Sequence, residues 1–141
     1  MNIKDYLSQI RNINARLRML ELEIIDIQAK LGVQGIRYDK DGGFSPSPDD
    51  KMSRYVYRLI ELEEKYEDEK NKLLDKREEI IANISKVEDF RLRQVLYLRY
   101  VSLKKWEEIS ERLGYEERYI YKLHGYALEE LKRTLKDSIS V

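Results

Sequence analysis

Nine apolar residues, alternately three and four positions apart, constrain the first 31 residues of this chain more than any other feature. They recur without a miss over four heptads, at Ile3, Tyr6, Ile10, Ile13, Leu17, Leu20, Ile24, Ile27 and Leu31. Such a repeat places one apolar seam along an α-helix, and a seam of this length requires a partner helix. Gly32 favours an end of the helix there, because glycine readily adopts a positive φ.

A second long helix is predicted after residues 32–50, a loop rich in glycine, serine, proline and aspartate. The loop ends in SPDD, which is typical of a helix start, and the apolar stripe that follows reaches about Ile84. The stripe thins at residues 67–72, EDEKNK, which form a solvated stretch beyond the contact with the first helix, a weak spot, or a partner-specific surface. The two helices predict an antiparallel, coiled-coil-like hairpin over residues 1–84, closed within one chain or completed by a second subunit.

Composition supports an all-α fold. Charged residues make up 38% of the chain and there are only two prolines, which favours long solvated helices over a sheet. There is no cysteine, so disulfides and thiolate metal ligands are excluded. The first residues carry no apolar run of the length that a signal peptide or a membrane span needs. We therefore expect a cytoplasmic protein without membrane contact.

Three shorter helices are predicted over residues 85–141, which we interpret as a second domain. Ser85 and Glu88 have the spacing of a capping box that would start the first of them. Ser102 is a candidate cap for the second, and the third is expected from about Glu116 to Leu135.

The last two of these helices have the spacing of a helix-turn-helix. Ser110 is the small residue at the helix crossing, Gly114 comes four residues later at the turn, and Ile120 locks the second helix six residues beyond. Supporting apolar positions are Trp106, Ile109, Leu113, Tyr115, Leu123, Ala127, Leu128 and Leu131. The alternative is a plain helical corner in a bundle, because helix pairs often match part of this spacing by chance.

The stretch LRYVSLKKWEEISERLGYEERYIYKLHGYALEELKR resembles region 4 of bacterial sigma factors, and the match covers roughly residues 87–133. It departs from that pattern at Ser110, where alanine is preferred, and at Tyr119, Tyr121 and Tyr126, where basic residues are usual. The whole layout of hairpin, Gly/Ser/Pro loop and sigma-like end resembles the ArpU-like and RinA-like late-gene regulators of phages. This resemblance implies sequence-specific binding to double-stranded DNA in a bacterial host cell, with RNA polymerase as a further candidate partner.

The candidate DNA-binding residues follow from the helical periodicity of the last helix. If Ile120, Leu123, Ala127 and Leu131 face inward at about 100° per residue, the opposite face can be assigned. It carries Arg118, Lys122 and Gly125, flanked by Tyr119, Tyr121 and Tyr126. Arginine can bind guanine through two hydrogen bonds, and lysine and tyrosine can contact phosphates. Lys104 and Lys105, at the start of the preceding helix, are further candidates for phosphate contact.

The net charge of the chain is zero, and residues 1–86 hold 16 lysines and arginines against 17 acidic residues. DNA binding must therefore depend on where individual charges lie. We expect a homo-oligomer joined through the N-terminal helices, which would present two recognition helices to a repeated site.

Catalytic chemistry is not indicated. His124 is the only histidine, and no second histidine or cysteine accompanies it, so we interpret it as a packed or hydrogen-bonded residue. We expect no enzymatic activity, no metal and no cofactor. Two other functions remain open: a phage DNA-packaging or recombination protein that uses the same motif, and a coiled-coil adaptor that binds no nucleic acid.

Overall fold

The computed structural model describes residues 1–35 and 50–139, and within these ranges the chain is helical without any strand. The α-helices in chain order are α1 (Ile3–Leu7), α2 (Gln9–Gly35), α3 (Lys51–Ile84), α4 (Phe90–Leu96), α5 (Trp106–Leu113) and α6 (Glu117–Ile139). A π-helical turn, Tyr97–Val101, follows α4. The predicted all-α class is confirmed. None of the helices within the described ranges is apolar over a stretch long enough to cross a bilayer.

The first helical segment is nearly continuous from residue 3. The side chain of Asn2 caps it by accepting a hydrogen bond from the Asp5 N–H at 2.8 Å. Ser8 alone separates α1 from α2, and its own backbone is right-handed, with φ −77° and ψ −4°. The backbone leaves helical geometry at Gly32, where φ is 15° and ψ is −130°. The interruption therefore falls where the sequence places the helix end, although α2 resumes as far as Gly35.

Residues Asn14–Lys72 form one compact unit, called the hairpin unit below. Its cross-helix pairs are Arg16 with Glu69 at 3.3 Å, Glu21 with Tyr66 at 3.0 Å, Glu23 with Arg58 at 3.3 Å, and Lys30 over the Tyr55 ring at 5.6 Å. Residue numbers rise along α2 while they fall along α3, so the two helices run antiparallel, as predicted.

The interior of the hairpin unit is narrow. Leu17 and Leu62 are buried, whereas the later seam residues Leu20, Ile24 and Ile27 are only half-buried. The charged stretch at residues 67–72 stays helical within α3. Its Glu69 carboxylate pairs across to α2 and also lies 3.7 Å from the Lys72 ammonium group. An ion pair therefore takes the place of the apolar seam there.

The other compact unit joins Met1–Ile13 to Leu73–Val141 and is called the terminal unit below. Its core takes side chains from every helix: Leu7, Ile10, Ile80, Ile84, Val87, Leu92, Val95, Leu96, Leu98, Tyr100, Val101, Ile109, Ile120, Leu123, Ala127 and Leu131. Residues 1–13 and 73–84, the two ends of the predicted hairpin region, therefore pack with the C-terminal helices. The functional boundary at residue 84 stays a prediction.

The predicted capping box at Ser85 is wrong. The Ser85 hydroxyl donates to the Ala82 carbonyl at 2.6 Å and so closes the end of α3. Asp89 caps α4 instead, since its carboxylate accepts from the Arg91 N–H at 2.9 Å. An aspartate in the extended conformation before the helix is as good a cap as serine, and the turn after α3 brings Asp89 to that position.

Ser102 does not cap α5, contrary to the prediction, because it ends the π-helical turn. Lys105 holds the cap position, and its N–H donates to the Glu108 carboxylate at 3.1 Å. At the start of α3, the Asp50 carboxylate accepts from the Met52 N–H at 3.3 Å. The first three residues of the SPDD signal lie outside the described residues.

Leu7 tests whether the N-terminal segment belongs to the core of the terminal unit. It is 0% exposed, so Leu7→Ala should lower the free energy of unfolding by about 2–5 kcal/mol. Leu74→Ala is the matched control, because Leu74 is 52% exposed on α3 and should change stability by less than about 0.5 kcal/mol. Urea unfolding followed by the fluorescence of Trp106 measures both, and equal effects would contradict the assignment.

Candidate nucleic-acid interface

A tight turn at Gly114 joins α5 to α6. Gly114 has φ 75° and ψ 25°, the left-handed conformation that glycine adopts without the steric cost of a Cβ atom. The N–H groups of Gly114 and Tyr115 donate to the Ser110 carbonyl at 2.9 and 3.2 Å. The Ser110 hydroxyl donates to the Tyr115 carbonyl, a bond that alanine could not make. This bond gives a local reason for the departure from the sigma-factor pattern at Ser110.

One face of α6 is buried, and it is the face expected from the sequence. Ile120, Ala127 and Leu131 are 0% exposed and Leu123 is 2% exposed. Ile109 of α5 belongs to the same core cluster. Because successive residues turn by about 100°, burial of these positions determines which side chains of α6 face solvent.

The outer face of α6 exposes the two cations chosen from the sequence. Arg118 and Lys122 are both exposed and lie one helical turn apart. Gly125 is exposed one turn further, and a Cβ atom built there would meet nothing within 4 Å, so the space before it is open. Glu129 lies on the same face, one turn beyond Gly125 and two turns beyond Lys122. The C-terminal half of α6 carries the further exposed cations Lys132, Arg133 and Lys136, of which Arg133 pairs with Glu130 at 3.0 Å.

Tyr119 lies on one flank of this face and is connected to α4. Its hydroxyl accepts a hydrogen bond from Arg91 Nη1 at 2.7 Å, and its ring contacts the edge of the Tyr115 ring at 5.0 Å. The second guanidinium nitrogen of Arg91 pairs with the Asp89 carboxylate at 3.2 Å, and the hydrogen bond with Arg91 lowers the pKa of Asp89. Arg91 was not among the sequence candidates, because no local pattern links it to a residue 28 positions away.

Tyr121 and Tyr126 are more exposed than Tyr119. Tyr121 is 50% exposed on the opposite flank, where its ring meets the Trp106 ring edge-on at 5.3 Å. Tyr126 is 61% exposed and follows Tyr119 on the first flank. The three tyrosines therefore border the face of Arg118 and Lys122 on both sides.

Lys104 and Lys105 precede α5 as predicted, but the start of that helix is acidic. Glu107 and Glu108 lie in its first turn, and the Glu108 carboxylate already accepts the Lys105 N–H. These carboxylates compete with a phosphate for the positive end of the helix. Lys104 is half-buried, and its carbonyl accepts from Arg99 Nη1 at 3.1 Å. Any phosphate contact in this region has to come from the lysine side chains or from Arg99.

His124 is buried in an aromatic cluster, which confirms the interpretation of it as a packed and hydrogen-bonded residue. Its Nε2 atom lies 2.6 Å from the Tyr100 hydroxyl, and its ring meets Trp106 edge-on at 4.7 Å. The Arg99 guanidinium group lies over the Trp106 ring of this cluster, 4.3 Å from its centroid. Burial, with the added charges of Lys4 and Arg99, lowers the pKa of His124 to about 4.

The chain matches no protein-family model, no curated protein and no solved structure. Among residues 1–35 and 50–139, no group of three or more His, Asp or Glu side chains is arranged to hold a metal ion. The function is therefore argued from the surface of α6 and its surroundings.

The lowered pKa of His124 predicts a specific loss of stability in acid. His124 stays neutral in the folded protein down to a pH of about 4, whereas in the unfolded chain it binds a proton below about 6.5. The unfolded state therefore gains a proton first, and stability falls as the pH drops from about 6.5 to about 4, by at most ~1.4 kcal/mol per pH unit. His124→Gln should show a shallower loss in urea unfolding over this range. Parallel curves for the two proteins would contradict the prediction.

Proposed function

We propose that this protein is a sequence-specific regulator of transcription that binds double-stranded DNA and that α6 is its recognition helix. One observation carries the proposal: α6 buries one face completely and exposes Arg118, Lys122 and Gly125 on the other, bordered by tyrosines. An α-helix of this width fits the major groove, where each base pair presents a distinct set of donors and acceptors. The resemblance to phage late-gene regulators supports action on such genes in the cytoplasm of a bacterial host.

The exposed residues of α6 divide into base-reading and phosphate-binding roles. Arg118 presents a guanidinium group that can donate two hydrogen bonds to the O6 and N7 atoms of guanine. Lys122 reaches either a base edge or a phosphate from the next turn. The hydroxyl groups of Tyr121 and Tyr126 suit phosphate oxygens, and the open space at Gly125 lets the DNA backbone come close to the helix.

Few cations take part, so one copy of the chain should bind weakly. Each phosphate contact contributes to affinity mainly by releasing counterions, and Arg118 and Lys122 alone offer few such contacts. Two linked copies that bind two half-sites would gain affinity through effective concentration. The proposed regulator therefore acts as an oligomer on a repeated site.

Arg118→Ala should weaken binding to the specific site by about 1–3 kcal/mol and relax the preference at one base pair. The site is first selected from genomic DNA with the purified protein, and affinities are then measured by gel shift at several salt concentrations. Lys122→Ala should also weaken binding. Lys86→Ala is the matched control, since Lys86 is an exposed cation in the turn after α3 and is not part of α6; it should leave affinity unchanged. If Arg118→Ala and Lys122→Ala both bind like the control, the assigned face is wrong.

The same experiments separate the proposed regulator from its alternatives. A coiled-coil adaptor would select no DNA at any salt concentration. A DNA-packaging or recombination protein would select DNA but would leave a reporter gene beside the selected site unchanged. A regulator changes expression of that reporter, and Arg118→Ala abolishes the change.

A second copy of this chain is the partner that the surface of α2 fits best. The seam itself is used within the chain, since Ile10, Ile13 and Leu17 are buried. The apolar residues left exposed lie off the seam: Met19 at 58%, Leu22 at 56% and Ile25 at 60%. Contiguous exposed apolar side chains of this kind are typical of interaction sites.

A groove of about 500 Å³ lies beside this stripe in the hairpin unit. It is lined by apolar atoms of Met19 and Leu20, and by Lys65, Asp68 and Lys72 on α3. The rim carries charges of both signs. In a two-fold dimer the same surface of each copy faces the other, so a lysine of one copy can lie opposite an aspartate of its partner. We infer that α2 of one copy lies along this groove of another.

Met19→Asp combined with Leu22→Asp should convert the oligomer into monomers, because each carboxylate would have to be buried at the contact. Sedimentation at micromolar concentration measures the change, and binding should fall far more on a two-site DNA than on one half-site. Leu74→Asp, on an exposed leucine of the terminal unit, is the control and should remain oligomeric. A monomeric unmodified protein would refute the proposed oligomer.

A further inference from the structure

We propose that a cleft in the terminal unit, lined by Arg11 and Arg99, binds a phosphate group. The cleft has a volume of about 70 Å³ and is completed by Leu7, Ser8, Tyr100 and Leu103. One water molecule occupies roughly 30 Å³ in the liquid, so the cleft has room for one small oxyanion. It is far smaller than the ~300–1,000 Å³ of sites for organic ligands.

The cations around this cleft have no carboxylate to balance them. Within residues 1–35 and 50–139, no carboxylate oxygen lies within 4 Å of the charged groups of Lys4, Arg11 or Arg99. Arg16, Arg58, Arg91 and Arg133 form ion pairs with carboxylates, whereas Arg11 and Arg99 form none within the described part of the chain. In a chain of zero net charge, uncompensated cations around one cleft define a local positive potential.

The charges of these cations also affect the pKa values of two buried side chains next to the cleft, Tyr100 and His124. Burial raises the pKa of Tyr100, and the charges of Arg99 and Arg11 oppose that rise. The pKa of His124 is lowered by burial first and then by Lys4 and Arg99. No acidic side chain contributes to either shift. The charges of Arg11, Arg99 and Lys4 therefore act on neighbouring buried side chains, Tyr100 and His124.

Arg99 is held in place for such a contact. Its guanidinium group lies 4.3 Å from the Trp106 ring, and Nη1 donates to the Lys104 carbonyl at 3.1 Å. The other N–H groups of Arg99 remain for an anion. Because the orientation of the guanidinium group is already determined, little side-chain entropy is lost when the anion binds. Arg11 is exposed on α2 at the other wall and provides the second cation.

The position of the cleft suggests which phosphate it binds, and this step rests on the proposed function. Arg99 packs on Trp106, and Trp106 packs on Tyr121 at the flank of the recognition face. A duplex held by α6 would continue past this flank. We therefore assign the cleft to a backbone phosphate of the DNA, so that the N-terminal helix contributes to binding as well as α6.

Arg11→Gln is the test variant, because Arg11 is exposed and its replacement should leave the fold intact. It should weaken binding to specific and unrelated duplexes by the same factor and reduce the slope of log K against log salt by about 1. Arg18→Gln is the matched control, two turns further along α2, and should leave the slope unchanged. Circular dichroism verifies that both variants are folded.

Titration with inorganic phosphate is a second test, and it does not depend on DNA binding. Titration should shift the NMR signals of the Arg11 and Arg99 side-chain N–H groups in the unmodified protein, and Arg11→Gln should suppress the shift at Arg99. Phosphate binding without duplex binding would support the site and refute the proposed function. Duplex binding that Arg118→Ala weakens but Arg11→Gln leaves unchanged in strength and salt slope would overturn the assignment to DNA. No shift with phosphate and no change in slope would overturn the site altogether.

Discussion

The burial of one face of α6 is the constraint on which the rest of the terminal unit depends. Ile120, Leu123 and Leu131 are buried at helical spacing, and each such side chain stabilises the fold by about 1.5–3 kcal/mol when it leaves water. Rotating the helix by even one residue would expose this face. The outward direction of Arg118 and Lys122 is therefore fixed by the core.

Much of this architecture could be predicted from local periodicity, but its tertiary partners could not. The seam of α2 and the inner face of α6 both repeat at helical spacing, so their buried sides follow from the sequence alone. Leu7 lies off the seam, and it packs with residues about a hundred positions later in the chain, which no local pattern indicates. The caps at Ser85 and Ser102 were wrong for a related reason: several residues can cap a helix, and the path of the turn decides which one does.

The same limit applies to the candidate site. The exposure of Arg118 and Lys122 follows from the helical period, whereas the contacts of Arg91 with Tyr119 and of Arg99 with Trp106 join different elements of the fold. These contacts orient two guanidinium groups beside α6 that sequence reasoning left out. No local spacing distinguishes Arg91 and Arg99 from the other arginines of the chain, because the partners of both lie on other elements.

Net charge is a poor guide to this chain because it sums paired and unpaired charges alike. In the hairpin unit, arginines such as Arg16 and Arg58 face carboxylates across the helix pair, and their fields largely cancel. In the terminal unit, Arg11, Arg99 and Arg118 form no ion pair within the described residues. Since the Debye length is ~8 Å at physiological salt, a DNA phosphate responds only to charges close to it. Because net charge sums the whole chain, a chain of zero net charge can still present a cationic surface where arginines are unpaired.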